Sequence, residues 1–286
     1  MYKLKPSVSV RCFGLKWIDE ENRIYEILKD YDYVARKLKD MVDNGFEAVE
    51  LVTAGPWNNE EEKANYPYVN EFAKMIKDSG LIYQGVHLPF SLPWWHFASS
   101  DEESRKQAVE TFKRAVDMHG ELLPNLFVIH PDGKPKNPEM RPIMFDQLTK
   151  SMEEICEFSP RTVCVENMVG DRLLNNMSEA KELLSRVPKL CMTIDVNHSL
   201  LQKPEDYIAC IGDRVKNLHI SDNDGTDERH WLPGEGIINF NAILSNLEKI
   251  GYNGTFNYEV NITADDGVKK VKENFDKLFN DYNNSK

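Results

Sequence analysis

Short apolar runs alternate with amphipathic stretches along almost the whole chain. Eight runs of five or six residues predict β-strands, and each is followed by a stretch whose apolar residues recur at the spacing of a helix face. The predicted strands are Val8–Cys12, Glu47–Val52, Ile82–His87, Leu126–His130, Thr162–Glu166, Leu190–Asp195, Val215–Ile220 and Thr255–Val260. The predicted helices lie at residues 31–44, 68–79, 101–120, 142–158, 178–186, 204–211, 239–250 and 267–279.

Eight strand-then-helix units in one unbroken series indicate parallel strands joined by right-handed crossovers. At 286 residues, a closed (β/α)8 barrel fits better than an open doubly wound sheet. No Gly-x-Gly-x-x-Gly sequence follows the first strand, which removes the usual signature of a dinucleotide-binding fold. We therefore predict an α/β chain that forms one (β/α)8 TIM barrel domain over residues 1–286, with a frayed polar tail at 280–286.

Alternation within the strands places a ligand-type side chain at the end of six of them. In the fifth strand, for example, Glu166 shares a face with Cys164, whereas Val163 and Val165 point to the opposite face. Barrel enzymes carry their catalytic groups at the carboxyl ends of the strands, so these six side chains are expected to meet there. They are His87, His130, Glu166, Asp195, His219 and Glu259, with His198, Glu228 and His230 in the loops that follow.

Three carboxylates converging on one axis would repel one another strongly without a divalent cation. Mixed carboxylate and imidazole ligands suit zinc, manganese, cobalt or iron better than calcium. The sequence therefore predicts a divalent metal cofactor, with Zn, Mn and Co as the leading choices.

Composition and charge narrow the class of partner. With 41% hydrophobic and 29% charged residues the chain has the make-up of an ordinary globule, and its net charge of −12 argues against nucleic acid or an anionic membrane as partner. No apolar run approaches the roughly 20 residues that cross a bilayer, and the first ten residues lack the apolar stretch of a signal peptide. The five cysteines form no Cys-x-x-Cys pair and read as reduced core thiols, which predicts a cytoplasmic setting.

Five short motifs resemble those of the xylose-isomerase-like barrel superfamily, in its sugar isomerase/epimerase branch, which is also similar to endonuclease IV. They are Val-Glu166-Asn-Met, Ile-Asp195-Val-Asn-His198, Leu-His219-Ile-Ser-Asp-Asn-Asp-Gly, Arg-His230-Trp-Leu-Pro-Gly-Glu-Gly and Tyr-Glu259-Val. The resemblance spans nearly the whole chain and implies the same barrel fold. It also implies that one divalent metal is held by Glu166, Asp195, His219 and Glu259.

The resemblance to endonuclease IV extends further. That enzyme holds three zinc ions, and its additional ligand positions match four more histidines of this chain. Its aspartate two residues before the last of these is Glu228 here, and its glycine-rich segment after the strand-five glutamate is replaced by residues 168–171, Met-Val-Gly-Asp. The remaining polar residues are therefore expected to bind either substrate or additional metal. They are His87, His130, His198, Glu228 and His230.

The resemblance implies a metal-dependent sugar isomerase or epimerase that transfers a proton next to a carbonyl through an enediolate. Glu166 and Glu259 would be the catalytic acid–base pair. Three alternatives stay open: a zinc-dependent phosphodiesterase of the endonuclease IV type, a metal-dependent lyase or dehydratase acting on a keto-sugar or keto-polyol, and a metal-dependent sugar-binding subunit without activity of its own.

The loops after the strands suggest the kind of sugar. All five tryptophans fall in these loops, where their rings could stack on the C–H faces of a carbohydrate or pack against each other or a second subunit. Acidic stretches at residues 58–63 and 264–266 disfavour a phosphate group, so an unphosphorylated sugar or polyol is expected. Assembly into a homo-oligomer is left open. The tryptophans are Trp17, Trp57, Trp94, Trp95 and Trp231.

Overall fold

Eight parallel strands form one sheet that closes on itself as a barrel. The computed structural model describes the backbone of residues 1–10, 17–19, 24–25, 31–52, 61–88, 95–131, 133–262 and 267–286, and the side chains of these ranges except 17–19, 24–25 and 61–68. The barrel strands are β1 (Lys5–Ser9), β4 (Ala48–Val52), β5 (Ile82–His87), β6 (Leu126–Ile129), β7 (Thr162–Glu166), β8 (Cys191–Asp195), β9 (Val215–His219) and β10 (Thr255–Tyr258).

The strands pair in the order β10-β1-β4-β5-β6-β7-β8-β9, and every pair within this sheet is parallel. Ile220 closes the ring, because its N–H donates to the Asn257 carbonyl at 2.9 Å and its carbonyl accepts from the Glu259 N–H at 3.0 Å. The predicted (β/α)8 TIM barrel is confirmed. Its closure brings the carboxyl ends of all eight strands to one face.

Helices follow the barrel strands and cover the outside of the barrel. They are α1 (Tyr31–Asp43), α2 (Glu61–Ser79), α3 (Glu102–Asp117), α4 (Met140–Phe158), α5 (Met177–Arg186), α6 (Pro204–Ile211), α7 (Phe240–Lys249) and α8 (Gly267–Asn284). Side-chain caps start several of them: Asp101, Asn176 and Asn239 each accept a hydrogen bond from a backbone N–H of the first turn.

Strand parity divides the core into two layers. Val163 and Val165 point to the outer face of the barrel, and the residues on this face of the strands belong to the large apolar cluster that packs the barrel against the helices. A separate small cluster contains Leu126, Val128, Cys164 and Cys191, which lie on the parity of the site residues. These four side chains therefore fill the barrel interior, as alternation predicts.

Four local features differ from the pattern-based expectation. The first strand occupies Lys5–Ser9 rather than Val8–Cys12, because its register against β10 begins at Lys5 paired with Thr255; Cys12 lies outside the described residues. A two-stranded antiparallel sheet, β2 (Trp17–Asp19) with β3 (Ile24–Tyr25), stands where a loop is expected. Helix α2 begins at Glu61 instead of residue 68. A proline usually marks a helix boundary, but this helix continues through Pro67.

The fourth difference lies at the end of the chain. Residues 280–284, expected to fray, continue α8 to Asn284. The helix is held there because Tyr282 is buried with its ring 6.3 Å from that of Tyr2, and Asn283 exchanges two hydrogen bonds with the Tyr2 backbone, each 2.9 Å long. The amino-terminal and carboxyl-terminal segments therefore stabilise each other.

Among the described residues, no helix is both long and apolar enough to cross a lipid bilayer.

Candidate active site

The strand ends bring the predicted site residues into one continuous cluster. His87, Glu166, Asp195 and His219 are the last residues of their strands, and His130 and Glu259 directly follow theirs. Contacts of 3.1–3.8 Å connect these six side chains with the three from the loops. The structure therefore gathers every polar residue singled out from the sequence: His87, His130, Glu166, Asp195, His198, His219, Glu228, His230 and Glu259.

Glu166 occupies the centre of the cluster. Its Oε1 lies 3.1 Å from Nδ1 of His219 and 3.4 Å from Nδ1 of His198. Its Oε2 lies 3.2 Å from Nε2 of His87 and 3.4 Å from Nε2 of His130. One buried carboxylate thus faces four imidazole rings.

Within the part of the chain that the structure describes, two groups of side chains have the geometry to hold a metal ion. Glu166, Asp195, His219 and Glu259 each offer one ligand atom, and these atoms lie within 4.8 Å of one another. A second group meeting the same limit consists of His87, His130 and Glu166. The first group matches the four ligands that the motifs imply.

The buried oxygens of this group indicate that a cation fits. Among the described residues, Oε2 of Glu166 and Oδ2 of Asp195 are buried and accept no well-formed hydrogen bond. Unpaired buried carboxylate oxygens are costly unless a positive charge compensates them. Carboxylate oxygens with one imidazole nitrogen form a donor set that suits divalent transition metals.

The pKa values of Glu166 and His219 show which positive charge balances the carboxylates of the site when no metal ion is bound. Burial alone would raise the pKa of Glu166, but the positive charges of His219 and His130 outweigh it and hold that pKa well below its usual range. Burial alone would lower the pKa of His219, but the carboxylates of Glu166, Glu50 and Glu259 raise it well above its usual value. A protonated imidazole therefore supplies the positive charge that a divalent ion would supply when bound.

Asp195 is held by Asn167, which directly follows β7. The side chain of Asn167 accepts from the Asp195 N–H at 2.8 Å and donates to the Asp195 carbonyl at 2.9 Å. Oδ1 of Asp195 accepts from the N–H of Asn197 at 2.7 Å, which leaves Oδ2 toward the cluster. Burial raises the pKa of Asp195 to about 6, although the charge of His198 acts in the opposite direction.

Three histidines are oriented by backbone carbonyls. The Nδ1–H of His87 donates to the Leu88 carbonyl at 2.8 Å. The Nδ1–H of His198 donates to the Asn167 carbonyl at 2.8 Å, and that of His230 donates to the Glu259 carbonyl at 3.0 Å. Because a carbonyl can only accept, Nδ1 carries the hydrogen in each ring and Nε2 faces the cluster.

Glu228 lies between two of these rings. Its Oε2 is 3.4 Å from Nε2 of His198 and 3.8 Å from Nε2 of His230. The nearby His198 and His230 rings hold the pKa of Glu228 far below its usual range. Burial alone would lower the pKa of His198, but Asp195, Glu228 and Glu166 raise it to about 10. Burial lowers the pKa of His130, although the carboxylate of Glu166 acts in the opposite direction.

The loop that carries Glu228 and His230 is fastened by Asp222. Its carboxylate accepts four backbone hydrogen bonds, from Asn223 and Ile238 to Oδ1 and from Gly234 and Gly236 to Oδ2, over 2.8–3.1 Å. A Cβ on Gly236 would lie 2.1 Å from the Asn223 carbonyl oxygen, so only glycine fits this approach. Asp222 therefore sets the path of the loop.

The tryptophans occupy different settings. Trp95 is fully buried and packs edge-to-face on Phe97 at 5.0 Å, so its ring presents no face to solvent. Trp231 is 37% exposed, next to His230 in the loop. Trp57 and Trp94 lie outside the described residues, as does the acidic segment 264–266, and only the backbone of Trp17 is described. Of the five rings, Trp231 alone is described with an exposed side chain.

Comparison with known proteins identifies the family. Residues 38–280 match the model of the family described as the xylose isomerase-like TIM barrel. The chain belongs to this family. The family expected from the motifs is therefore confirmed.

Proteins that are similar to this chain in sequence or in structure include sugar epimerases. An uncharacterized protein of Methanocaldococcus jannaschii is 27% identical over 268 residues, which cover 89% of this chain and 88% of the relative. Fructoselysine 3-epimerase of Shigella flexneri is 25% identical over 171 residues, which cover 54% of this chain and 59% of the epimerase.

Two crystal structures share the whole fold. A D-tagatose 3-epimerase-like protein matches with a TM-score of 0.75 at 23% identity, over 99% of both chains. The 3-keto-D-glucoside 4-epimerase from E. coli matches with a TM-score of 0.69 at 18% identity, over 97% of this chain and all of the other. At these identities the likeness shows the fold.

The sequence pattern assigned no role in the site to Asn167, Asp222 or Glu50. Glu50 contacts His219, with Oε1 2.8 Å from Nε2 of that ring. The available signal was an acid in the middle of an otherwise apolar strand, which only a polar partner inside the barrel can satisfy.

Proposed function

We propose that this protein is a divalent-metal-dependent sugar epimerase or isomerase that moves a proton at the carbon next to a carbonyl group. The observation that carries the proposal is the placement of two carboxylates around one imidazole nitrogen. Nδ1 of His219 lies 3.1 Å from Oε1 of Glu166 and 3.2 Å from Oε2 of Glu259, which approach from β7 and from the end of β10.

Two carboxylates on different strands suit proton transfer to and from opposite faces of a substrate. One would take the proton from the carbon, the electron pair of the broken C–H bond would move toward the carbonyl oxygen to give an enediolate, and the other carboxyl group would return a proton. Return to the opposite face of the same carbon gives an epimer, and return to the adjacent carbon gives the aldose–ketose isomer.

Glu166, Asp195, His219 and Glu259 would hold the metal. When bound, a divalent ion supplies electrostatic stabilisation of the negative charge that develops on the substrate oxygens. Zinc, manganese and cobalt all suit the donor set. Nε2 of His198 and of His230 face the same region, where they can orient hydroxyl groups or carry protons.

The named relatives support a reaction at such a carbon. The E. coli structure is a 3-keto-D-glucoside 4-epimerase, and carbon 4 of that substrate is next to its keto group. The Shigella relative is a 3-epimerase of fructoselysine. Reversal of configuration beside a carbonyl is therefore chemistry that this fold performs elsewhere.

An unphosphorylated sugar or polyol is the proposed substrate class. The loop after β9 carries Asp224, Asp227 and Glu228, and its cation Arg229 is already paired, with Nε 2.8 Å from Asp224 and Nη1 3.7 Å from Asp227. A phosphate would meet repulsion at this part of the barrel mouth. Trp231, exposed beside it, offers a ring on which a sugar can stack.

Deuterium exchange tests the proposal. Metal-loaded protein would be incubated with a panel of ketohexoses and keto-polyols in deuterated water, and NMR would follow loss of the C–H signal next to the carbonyl and appearance of the epimer or isomer. We expect exchange with the wild-type chain and a fall of about 10²–10⁴-fold in Glu166→Gln and in Glu259→Gln.

The exposed Glu153 on α4 provides the matched control, and Glu153→Gln should exchange at the wild-type rate. Exchange that persists in both site variants would rule out the two-glutamate scheme. Product analysis separates the lyase alternative, since loss of water from the substrate gives a product lighter than the starting sugar.

A zinc-dependent phosphodiesterase is the second candidate, and one observation favours it. His87, His130 and Glu166 form a further group with metal-ligand geometry, so the site has room for more than one ion. Metal analysis discriminates: close to three zinc ions per chain, with cleavage of a DNA duplex that carries an abasic site, would favour this reading. One ion per chain and an intact duplex would favour the epimerase.

A further inference from the structure

His219 is held differently from the other histidines of the site. In His87, His198 and His230 a backbone carbonyl accepts from Nδ1, and Nε2 faces the cluster. In His219 the ring is reversed: Nε2 lies 2.8 Å from Oε1 of Glu50, and Nδ1 faces Glu166 and Glu259. A buried side-chain carboxylate thus performs the task that backbone carbonyls perform for its neighbours.

Glu50 reaches this ring from across the barrel. It lies on β4, which is separated from β9 by β1 and β10 in the closed sheet. Its second oxygen, Oε2, accepts a hydrogen bond of 2.7 Å from Nδ2 of Asn217, which is two residues before His219 on the same face of β9. Both oxygens of Glu50 are therefore bound by β9, and the side chain is fully buried.

The neighbouring strand makes room for this arrangement. Gly85 on β5 is the register partner of Glu50. A Cβ at position 85 would lie 3.2 Å from Oε2 of Glu50 and 2.8 Å from Cδ1 of Leu126. A larger residue would press on the carboxylate, so glycine leaves the space that the carboxylate needs.

We propose that Glu50 is a positioning residue of the metal centre, which fixes the His219 ring so that Nδ1 is the nitrogen offered to the divalent ion. The carboxylate accepts the hydrogen of Nε2, so that the proton displaced by a bound ion is the one on Nδ1, and the lone pair it leaves is directed between Glu166 and Glu259. Its negative charge also makes the ring a stronger donor. The inference rests on the proposed metal centre but not on the sugar chemistry.

Cobalt binding tests this role without any substrate. The metal-free chain would be titrated with Co²⁺ against a chelating dye, and the visible absorption of the bound ion would be recorded. Loss of an outer carboxylate partner of a metal-bound histidine weakens metal affinity by about 10–100-fold. We expect a loss of this size in Glu50→Gln, with a shifted cobalt spectrum, because the uncharged amide has one acceptor oxygen and cannot accept from both Nε2 of His219 and Nδ2 of Asn217.

Asn217→Ala provides a second variant that leaves Glu50 and His219 in place. It removes the hydrogen bond to Oε2 and should weaken Co²⁺ binding several-fold. Ser7→Ala is the matched control, since Ser7 is equally buried in the barrel but donates to Asn257 at 2.8 Å. Its cobalt affinity and spectrum should equal those of the wild type.

The outcomes separate this inference from the proposed function. Wild-type affinity and spectrum in Glu50→Gln and Asn217→Ala overturn the role of Glu50, and if Glu50→Gln does not fold, the result for Asn217→Ala decides. Weakened cobalt binding in a chain that acts on no sugar supports this inference while the proposed reaction fails. A wild-type chain that binds no Co²⁺ overturns both.

Discussion

Nδ1 of His219 lies 3.1 Å from Oε1 of Glu166, although 53 positions of sequence separate the two residues. Each is the last residue of its strand, and β8 lies between their strands in the sheet. The contact therefore depends on barrel closure, which points the final inward residue of each strand at the same axis. It is the structural basis for the proposed metal centre, whose residues are scattered along the chain.

Removal of the Asp195 charge should have opposite effects on metal binding and on stability. Asp195→Asn removes a proposed metal ligand and is expected to weaken divalent-ion binding by at least about 100-fold. Burial raises the pKa of Asp195 to about 6, so the ionised form destabilises the folded metal-free chain above that pH. The variant should therefore raise the free energy of unfolding of the metal-free chain at pH 7.5 by about 1–3 kcal/mol.

Denaturant unfolding at two pH values checks this expectation. The gain should decrease as the pH falls below 6 and should vanish only well below the ordinary value of 3.8, where Asp195 is protonated in the folded and unfolded states alike. The exposed Asp171, whose carboxylate lies 3.6 Å from Nζ of Lys134, supplies the control variant Asp171→Asn, which should change neither quantity. A metal-free Asp195→Asn chain that is less stable than the wild type at pH 7.5 would contradict the account.

His119 should make the fold sensitive to acid. Its ring is buried between Tyr83 and Phe127, Nδ1–H donates to the Ala115 carbonyl at 2.7 Å, and burial lowers the pKa of His119 to about 4. Because the ordinary pKa near 6.5 applies in the unfolded chain, the unfolded state binds the proton first as pH falls. Stability should therefore decrease between pH 6.5 and pH 4, by about 2 kcal/mol from pH 7 to pH 5.

His119→Phe removes this contribution while it keeps an aromatic ring in the space. The free energy of unfolding of the metal-loaded protein, measured against pH, should lose that part of its slope in the variant. Equal slopes for the variant and the wild type would show that His119 does not titrate as its burial implies.

Asp222→Asn should loosen the loop that carries Glu228 and His230. The carboxylate accepts four backbone hydrogen bonds, and an amide can replace only one of its two oxygens as an acceptor. The new NH₂ group would face the N–H groups of its former donors, at a cost of about 2–4 kcal/mol. Hydrogen exchange at Gly234, Gly236 and Ile238 should speed up selectively, while exchange in β7 and β8 stays unchanged.

The matched variant for this loop is Asp224→Asn. Asp224 lies two residues after Asp222 in the same loop, and its side chain is 31% exposed. It should leave exchange at the glycines unchanged. Uniform acceleration across the barrel in Asp222→Asn would mean that the residue supports the whole fold rather than the loop.

The barrel was predictable because its two periodicities are strong. Apolar runs and helical spacing locate seven of the eight barrel strands to within two residues, and the parity of Glu166, Asp195 and His219 locates the site at the strand ends. The first strand was misplaced because β1 faces the interior with Ser7 and Ser9, which carry no apolar signal. Its position follows from pairing with β10 and β4, a long-range property.

The supporting contacts of the site could not be derived from pattern. Glu50 meets Asn217 and His219 only after the barrel closes, and nothing local marks an acid on β4 as the partner of a ring on β9. Asn167 is likewise an ordinary polar residue until its side chain binds the backbone of Asp195 on the next strand. Such roles depend on distances between residues of different strands, and these distances cannot be derived from the spacing of the residues along the sequence.

We propose that Glu166, Asp195, His219 and Glu259 hold one divalent ion, as their grouping allows. An anomalous difference map of crystals grown with Co²⁺ or Zn²⁺ would locate the ion. We expect a fully occupied peak about 2.0–2.3 Å from a carboxylate oxygen of each acid and from Nδ1 of His219. A saturated crystal with the ion bound elsewhere, or with these four side chains directed apart around an empty centre, would contradict it.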